Sequence, residues 1–219
     1  RQALARGGDL SLGAIVLAAG VSDRMGAAKP LLKFGDTSFL GHILNELDTV
    51  EEIEEIVVVL GAKGQLIKDT VDLGRAQAVQ HRGYKEGMFS SIRAGARALT
   101  RKLPDLTGAL VCLVDMPLIK AETYARVAQA FQIDLDDVVI AAYQGEAGHP
   151  VLLSRALVQR LSDVSLAAPA EETLADFIEA HSERRRFVDA QDPAVRININ
   201  TPDAYRTHIG EDPATTSEA

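Results

Sequence analysis

Three short, nearly unbroken apolar runs constrain this chain more than any other feature: Ala14-Ile-Val-Leu-Ala18, Glu55-Ile-Val-Val-Val-Leu60 and Gly108-Ala-Leu-Val-Cys-Leu-Val114. A strand that is apolar at successive positions, rather than at alternate ones, is covered on both faces. The segments between them have helical spacing. Ser38–Thr49 carries Phe39, Leu40, Ile43, Leu44 and Leu47 on one face, and Met88–Arg101 carries Ile92, Ala96 and Leu99. Further helices are expected at Ala62–Val71, Ala121–Phe131, Ser154–Leu161 and Glu171–His181. Further strands are expected at Gln77–Gln80, Asp137–Ala142 and Pro150–Leu153, with edge strands at Arg186–Asp189 and Val195–Ile199. Strand–helix alternation implies right-handed crossovers and a mostly parallel sheet between helical layers. The fold class read from this pattern is α/β, a single three-layer Rossmann-like domain.

A chain of 219 residues fits one such domain. Residues 12–209 read as that domain, 1–11 as a flexible leader and 210–219 as a disordered polar tail. The formal charge is −8, from 23 basic and 31 acidic residues. A surface of that sign lacks the basic footprint of non-specific nucleic-acid binding, so no nucleic-acid partner is expected. Small anionic substrates remain open, because a few local cations and backbone N–H groups suffice to hold them. No apolar run approaches the roughly 18–20 residues of a membrane span, so no membrane partner is expected. The lone cysteine, Cys112, lies inside an apolar run and forms no internal disulfide, which suits a reducing cytoplasm. The run Arg184-Arg-Arg186 reads as a solvated face or a partner contact.

Ligands of parallel α/β sheets bind beyond the carboxyl ends of the strands, so the post-strand segments hold the candidate chemistry. The first is Leu17-Ala-Ala-Gly-Val-Ser-Asp-Arg-Met-Gly-Ala-Ala-Lys-Pro-Leu-Leu-Lys33. Ala18, Ala19, Gly20 and Gly26 lack bulk, which lets main-chain N–H groups approach a polyphosphate, and Arg24 and Lys29 add positive charge. It is neither a P-loop, since no Gly-Lys-Ser/Thr follows, nor a G-x-G-x-x-G dinucleotide fingerprint. From composition alone an ordinary strand-to-helix loop is equally open. Asp115 ends a buried run, and Pro117 stops its continuation. A carboxylate there suits Mg²⁺, which takes oxygen ligands, or it caps the following helix. Gly87 and Met88 precede a helix whose first turn holds Ser90 and Ser91, a placement that suits anions or polar ligand edges. His149 precedes Pro150 without a second His or Cys at metal-ligand spacing, and His42, His81, His181 and His208 read as surface residues.

Taken together, these segments resemble the nucleotidyltransferases of molybdenum cofactor synthesis, with the cytidylyltransferase type as the nearest branch. Leu17-Ala-Ala-Gly…Arg24-Met-Gly…Lys29 is similar to the family's opening L-A-A-G-x-S-x-R-M-G-x-x-K. Gly87-Met-Phe-Ser-Ser-Ile-Arg-Ala-Gly95, Val114-Asp-Met-Pro117, Gly148-His-Pro150 and Asn200-Thr-Pro-Asp203 match later motifs in the same order. The resemblance implies a nucleotide-diphospho-sugar transferase type of fold and a nucleoside triphosphate held by Leu17, Ala18, Ala19, Gly20, Gly26, Gly87 and Ser91. It implies Mg²⁺ on Asp115 and Asn200, catalytic roles for Arg24, Lys29 and Asp115, and an acceptor near His149 and Pro150. Its expected substrates are CTP and a phosphorylated acceptor such as molybdenum cofactor, with an apo-molybdoenzyme as a further partner. Cytidylyl relatives often carry Asp where this chain has Asn200, and guanylyl relatives often carry Asn. Guanylyl relatives usually show Gly-Gly where this chain has Ala19-Gly20. Two alternatives are guanylyl or uridylyl transfer to another phosphorylated acceptor, and a non-catalytic accessory that delivers cofactor to a molybdenum hydroxylase.

Overall fold

The computed structural model describes residues 10–20, 25, 27–132, 136–163 and 172–214. Strand β1 (Leu12–Ala18) is buried along its whole length, as its unbroken apolar sequence requires. After it come a 3-10 turn at Lys29–Leu31 and a two-residue hairpin of β2 (Lys33–Phe34) with β3 (Thr37–Ser38). The chain continues through α1 (Phe39–Asp48), β4 (Ile53–Leu60), α2 (Gly64–Thr70), β5 (Gln77–Gln80), α3 (Met88–Lys102), β6 (Gly108–Leu113) and α4 (Ala121–Ala130). It then forms β7 (Val138–Tyr143), β8 (Glu146–Ser154), α5 (Arg155–Ser162), α6 (Leu174–His181), β9 (Arg185–Asp189) and α7 (Pro202–Ile209).

Seven strands form one sheet in the order β5-β4-β1-β6-β8-β7-β9. β8 pairs antiparallel with β6 and β7, and the remaining pairs are parallel. Alternate residues of β1 feed two cores. Ala14, Val16 and Ala18 pack with α1 and α4, whereas Ile15 and Leu17 pack with α3, α5 and α6. This is the expected three-layer α/β architecture, and all five apolar residues assigned to the inner face of α1 are buried.

The chain leaves β1 on one side to build β4 and β5, then returns to lay β6 on the other side. The crevice between the carboxyl ends of β1 and β6 is therefore the topological switch point, where open α/β sheets bind ligands. β8, being antiparallel, brings its first residues to that same end of the sheet.

Several local expectations need correction. Val195–Ile199 is not an edge strand. Pro193–Arg196 is a 3-10 turn, started by the Asp192 side chain accepting from Ala194 N–H. Helix α7 was not foreseen, although its signals are present. Thr201 accepts from Ala204 N–H as N-cap, Pro202 takes the first turn, and Gly210 ends the helix at φ 85°. The expected Pro150–Leu153 strand extends over nine residues, and the helix expected from Glu171 begins at Leu174 behind a Thr173/Asp176 capping box. The Arg184–Arg186 run is not simply solvated, because each guanidinium pairs with an acidic neighbour: Asp137, Glu179 and Asp136 in turn. Nor are all the motif-free histidines plain surface residues. His42 stacks on Phe34, and His81 bonds Ser90 Oγ at 2.9 Å. In the segment read as a tail, Lys33 N–H donates to the Ala214 carbonyl at 2.8 Å.

Candidate active site

A cleft of about 220 Å³ opens at the switch point. Leu17, Ala18, Ala19 and Gly20 supply one wall, Gly87 and Ser91 another, and Lys29 and Asp115 line it as well. Sequence reasoning had singled out each of these eight residues. Two others, Arg24 and Gly26, lie outside the described residues. His149 and Pro150 do not line the cleft.

Glycine is required at two points around it. Gly87 adopts φ 101° with ψ 173°, a region that side-chain-bearing residues avoid. It is the N-cap of α3 and makes no side-chain cap, so the positive end of a 15-residue helix adjoins the cleft. Gly61, just past β4, lies so close to the glycine loop that an added Cβ would stand 2.3 Å from the Ala19 carbonyl oxygen. Ser90 is not a free ligand group. Its hydroxyl donates to Gly87 O at 2.7 Å and contacts His81, which braces the 83–87 turn beneath the helix start.

Charged groups gather on the other side. Lys29 Nζ donates to Asp115 Oδ2 at 3.3 Å and to Asn200 Oδ1, joining residues 171 positions apart in sequence. Asn198 Nδ2 donates to the second carboxylate oxygen, Asp115 Oδ1, at 3.2 Å. The main chain fixes the pairing, since Ile199 N–H donates to Asp115 O at 2.7 Å. Ile199 points away into a small core with Met25, Leu32, Phe39 and Tyr205. Tyr205 is fully buried, stacks on Phe39 with centroids 5.8 Å apart, and donates its hydroxyl to Lys33 O at 2.7 Å. Helix α7 thereby clamps the stretch after Lys29 while presenting Asn200 to Asp115.

Sequence reasoning missed Asn198, Tyr84, Met88 and Gly61. Asn198 had a signal. In the extended segment Asn198-Ile-Asn200, side chains two apart share a side, so the partner of Asn200 was readable from period two. Met88 and Val114 line the cleft from within the quoted motifs, whereas Tyr84 and Leu113 line it without one.

His149 sits at the start of β8, with Nδ1 3.4 Å from Val111 O and close enough to feel the Asp115 charge. Burial lowers its pKa below the ordinary 6.5, and the Val111 and Asp115 contacts only partly offset this. Cys112, buried in β6, has its thiol pKa pushed well up by burial and is inert core, as expected.

Among the described residues, no group of three or more His, Cys, Asp or Glu side chains converges as a metal cage. Asp115 and Asn200 offer two hard oxygen donors around a spot that a cation, the Lys29 ammonium, already favours. That donor set fits a magnesium-type ion that takes most of its remaining ligands from phosphates and water. A larger cavity of about 390 Å³ lies elsewhere, between α1 and the turn after α2. Among the described residues its one lining cation, Arg75, is already bonded to Asp48 and to the carbonyls of Ile53 and Glu54.

A switch-point cleft with a small-residue loop and one strand-end carboxylate defines a nucleotide-handling α/β domain. Residues 14–185 match the MobA-like NTP transferase domain family, and the chain belongs to that family of nucleotidyltransferases. It is 22% identical to the molybdenum cofactor cytidylyltransferase of Escherichia coli strain K12, over 88% of this chain and 93% of that one. It is 29% identical to a molybdenum cofactor guanylyltransferase of Rhizobium leguminosarum, over 83% and 75%. A further match, 30% identical over 66% of this chain, is to the bifunctional protein GlmU of Rhodopseudomonas palustris, and it spans only 31% of that protein's length. The manganese complex of Rv0371c from Mycobacterium tuberculosis superposes with a TM-score of 0.72 at 23% identity, over 92% and 98% of the two chains. No helix among the described residues is long and apolar enough to cross a membrane.

Proposed function

We propose that the chain transfers a nucleotidyl group, CMP from CTP, to a phosphorylated acceptor of the molybdenum cofactor type and releases pyrophosphate. The observation that carries this is the convergence of Lys29, Asp115 and Asn200 beside the small-residue loop at the switch point. Main-chain groups of Leu17–Gly20 and the start of α3 face the nucleotide, with Gly87 and Ser91 alongside. An acceptor phosphate oxygen attacks the α-phosphorus in line. The bond to that oxygen forms as the α–β bridge breaks, and the electron pair leaves with pyrophosphate. The attacking group is already an anion, so no general base is needed. The protein contributes positioning and charge neutralisation.

Asp115 and Asn200 would hold Mg²⁺, which supplies charge neutralisation at the phosphates. The fold neighbour Rv0371c is described as a manganese complex, which supports a divalent ion as the metal used here. Lys29, and Arg24 by resemblance, neutralise the charge that grows toward the leaving group. His149 and Pro150 lie on the β8 side of Asp115, the side left for the acceptor. An apo-molybdoenzyme is the expected recipient of the product, and the reducing cytoplasm suits such chemistry.

A second reading, guanylyl transfer, is favoured by one observation: the uncharged Asn200 in place of an Asp. Ala19-Gly20 favours cytidine. Pyrophosphate release measured with each of the four triphosphates, with and without purified molybdopterin, tests both. Release with CTP alone among the four supports the first reading. GTP-dependent release replaces it with the second, and no release with any triphosphate returns the chain to the delivery role.

A further inference from the structure

Among the described residues, Lys29, Asp115, Asn198 and Asn200 are joined by hydrogen bonds of fixed direction. An ammonium only donates, so the two atoms facing Lys29 must be oxygens. This fixes the amide of Asn200 with Oδ1, not its NH₂, turned toward the same point as Asp115 Oδ2. The other carboxylate oxygen is occupied separately, by Asn198 Nδ2 at 3.2 Å. The side chains of Lys29 and Asp115 are only 16% and 17% exposed, so the carboxylate would carry a substantial desolvation cost without a cation beside it.

Resting on the reading of Asp115 and Asn200 as the metal pair, we propose that Lys29 is the resident counter-ion of that site. It holds the two ligand oxygens until the metal enters with the triphosphate, and then moves to the phosphates. Lys29 and a divalent ion cannot share the point between Asp115 Oδ2 and Asn200 Oδ1, because metal–oxygen bonds of about 2.0–2.1 Å leave no room for an ammonium. A free metal ion must therefore displace Lys29 from both oxygens. A metal ion arriving on a triphosphate brings phosphate anions with it, and the long lysine side chain needs only to swing across. Asn198 is a positioning residue in this exchange. It donates to Asp115 Oδ1, which leaves Oδ2 as the oxygen turned toward Lys29.

The test is an Mn²⁺ titration of the intact chain, followed by the paramagnetic resonance signal of free Mn²⁺, with no nucleotide present. Lys29→Met keeps the apolar stem and removes the charge, and Lys29→Gln does so with a neutral polar end. A thermal melt checks that each is folded. Both are expected to bind free Mn²⁺ roughly tenfold or more tightly than the wild type, since a unit charge a few ångströms away has been removed. The gain should disappear when a non-hydrolysable triphosphate analogue is added. Unchanged or weaker Mn²⁺ binding in both folded variants overturns the counter-ion role. Asp115→Ala separates the two levels of failure. If it abolishes Mn²⁺ binding while the Lys29 variants show no gain, the counter-ion role alone falls. If it leaves Mn²⁺ binding intact, the metal pair itself is wrong and the counter-ion role falls with it.

Discussion

The two sides of the cleft are built by different means. The loop side, Leu17–Gly20 with Gly87, is mostly main chain, held in place by close packing such as that of Gly61 on Ala19 O. The side with Lys29, Asp115, Asn198 and Asn200 is made of side chains from three distant segments joined by hydrogen bonds. A main-chain surface tolerates most substitutions that preserve its path, whereas a side-chain cluster loses function with single atoms. The first should govern how tightly the triphosphate is held, and the second how fast it reacts.

The largest effect is expected at Asp115. Asp115→Ala should cut turnover by about 10³-fold or more, roughly 4 kcal/mol, with little change in the melting curve. Near-normal turnover in steady-state assays would remove Asp115 from the site. Lys29→Ala comes next, with kcat falling by roughly 10²-fold and nucleotide affinity by less than about tenfold. Calorimetric titration beside kinetics checks the split, and a loss confined to affinity would make Lys29 a binding residue like those opposite.

Gly87→Ala probes the main-chain side. Its backbone conformation costs a non-glycine residue about 1–3 kcal/mol, so the turn should shift and raise KM several-fold while kcat stays within a factor of a few. A fall in kcat equal to that of the Lys29 variant would erase the contrast between the two sides. The smallest effect concerns His149. Its folded pKa lies below the ordinary 6.5, so the unfolded chain binds the proton more readily. Stability should hold above that value and decline as pH falls from it toward the folded pKa. His42 and His81 shift the same way, so His149→Gln should remove only part of the decline. Urea unfolding at about pH 7.5 and pH 5.5 measures it, and an identical decline in the variant would show that His149 is not the group responsible.

The same contrast explains what was legible in the sequence. Leu17–Gly20 and Gly87–Ser91 are contiguous, and their position after a strand or before a helix follows from local pattern. Asp115 was readable because a buried run ends on it. The joining of Lys29 to Asn200 was not readable from spacing, since it depends on a small core that no local periodicity announces. Helix α7 was overlooked because only Tyr205 of its residues is buried, which leaves almost no apolar stripe to detect. The Thr201 cap, Pro202 and Gly210 marked it all the same. The apolar content of Val195–Ile199 suggested a strand, but at Pro193–Arg196 the Asp192 side chain offered the backbone a turn instead.

The bond between Lys29 and Asn200 also sets when the site can exist during synthesis. The ribosome adds residues from the N-terminus, and the sheet strands that flank the cleft, β1 and β6, are complete once Leu113 has emerged. Asn200 follows Lys29 by 171 residues, so a nascent or prematurely terminated chain can carry the loop, Lys29 and Asp115 while lacking one of the two oxygens that Lys29 holds. The pairing of Lys29 with Asn200 therefore waits on a residue made long after the loop itself.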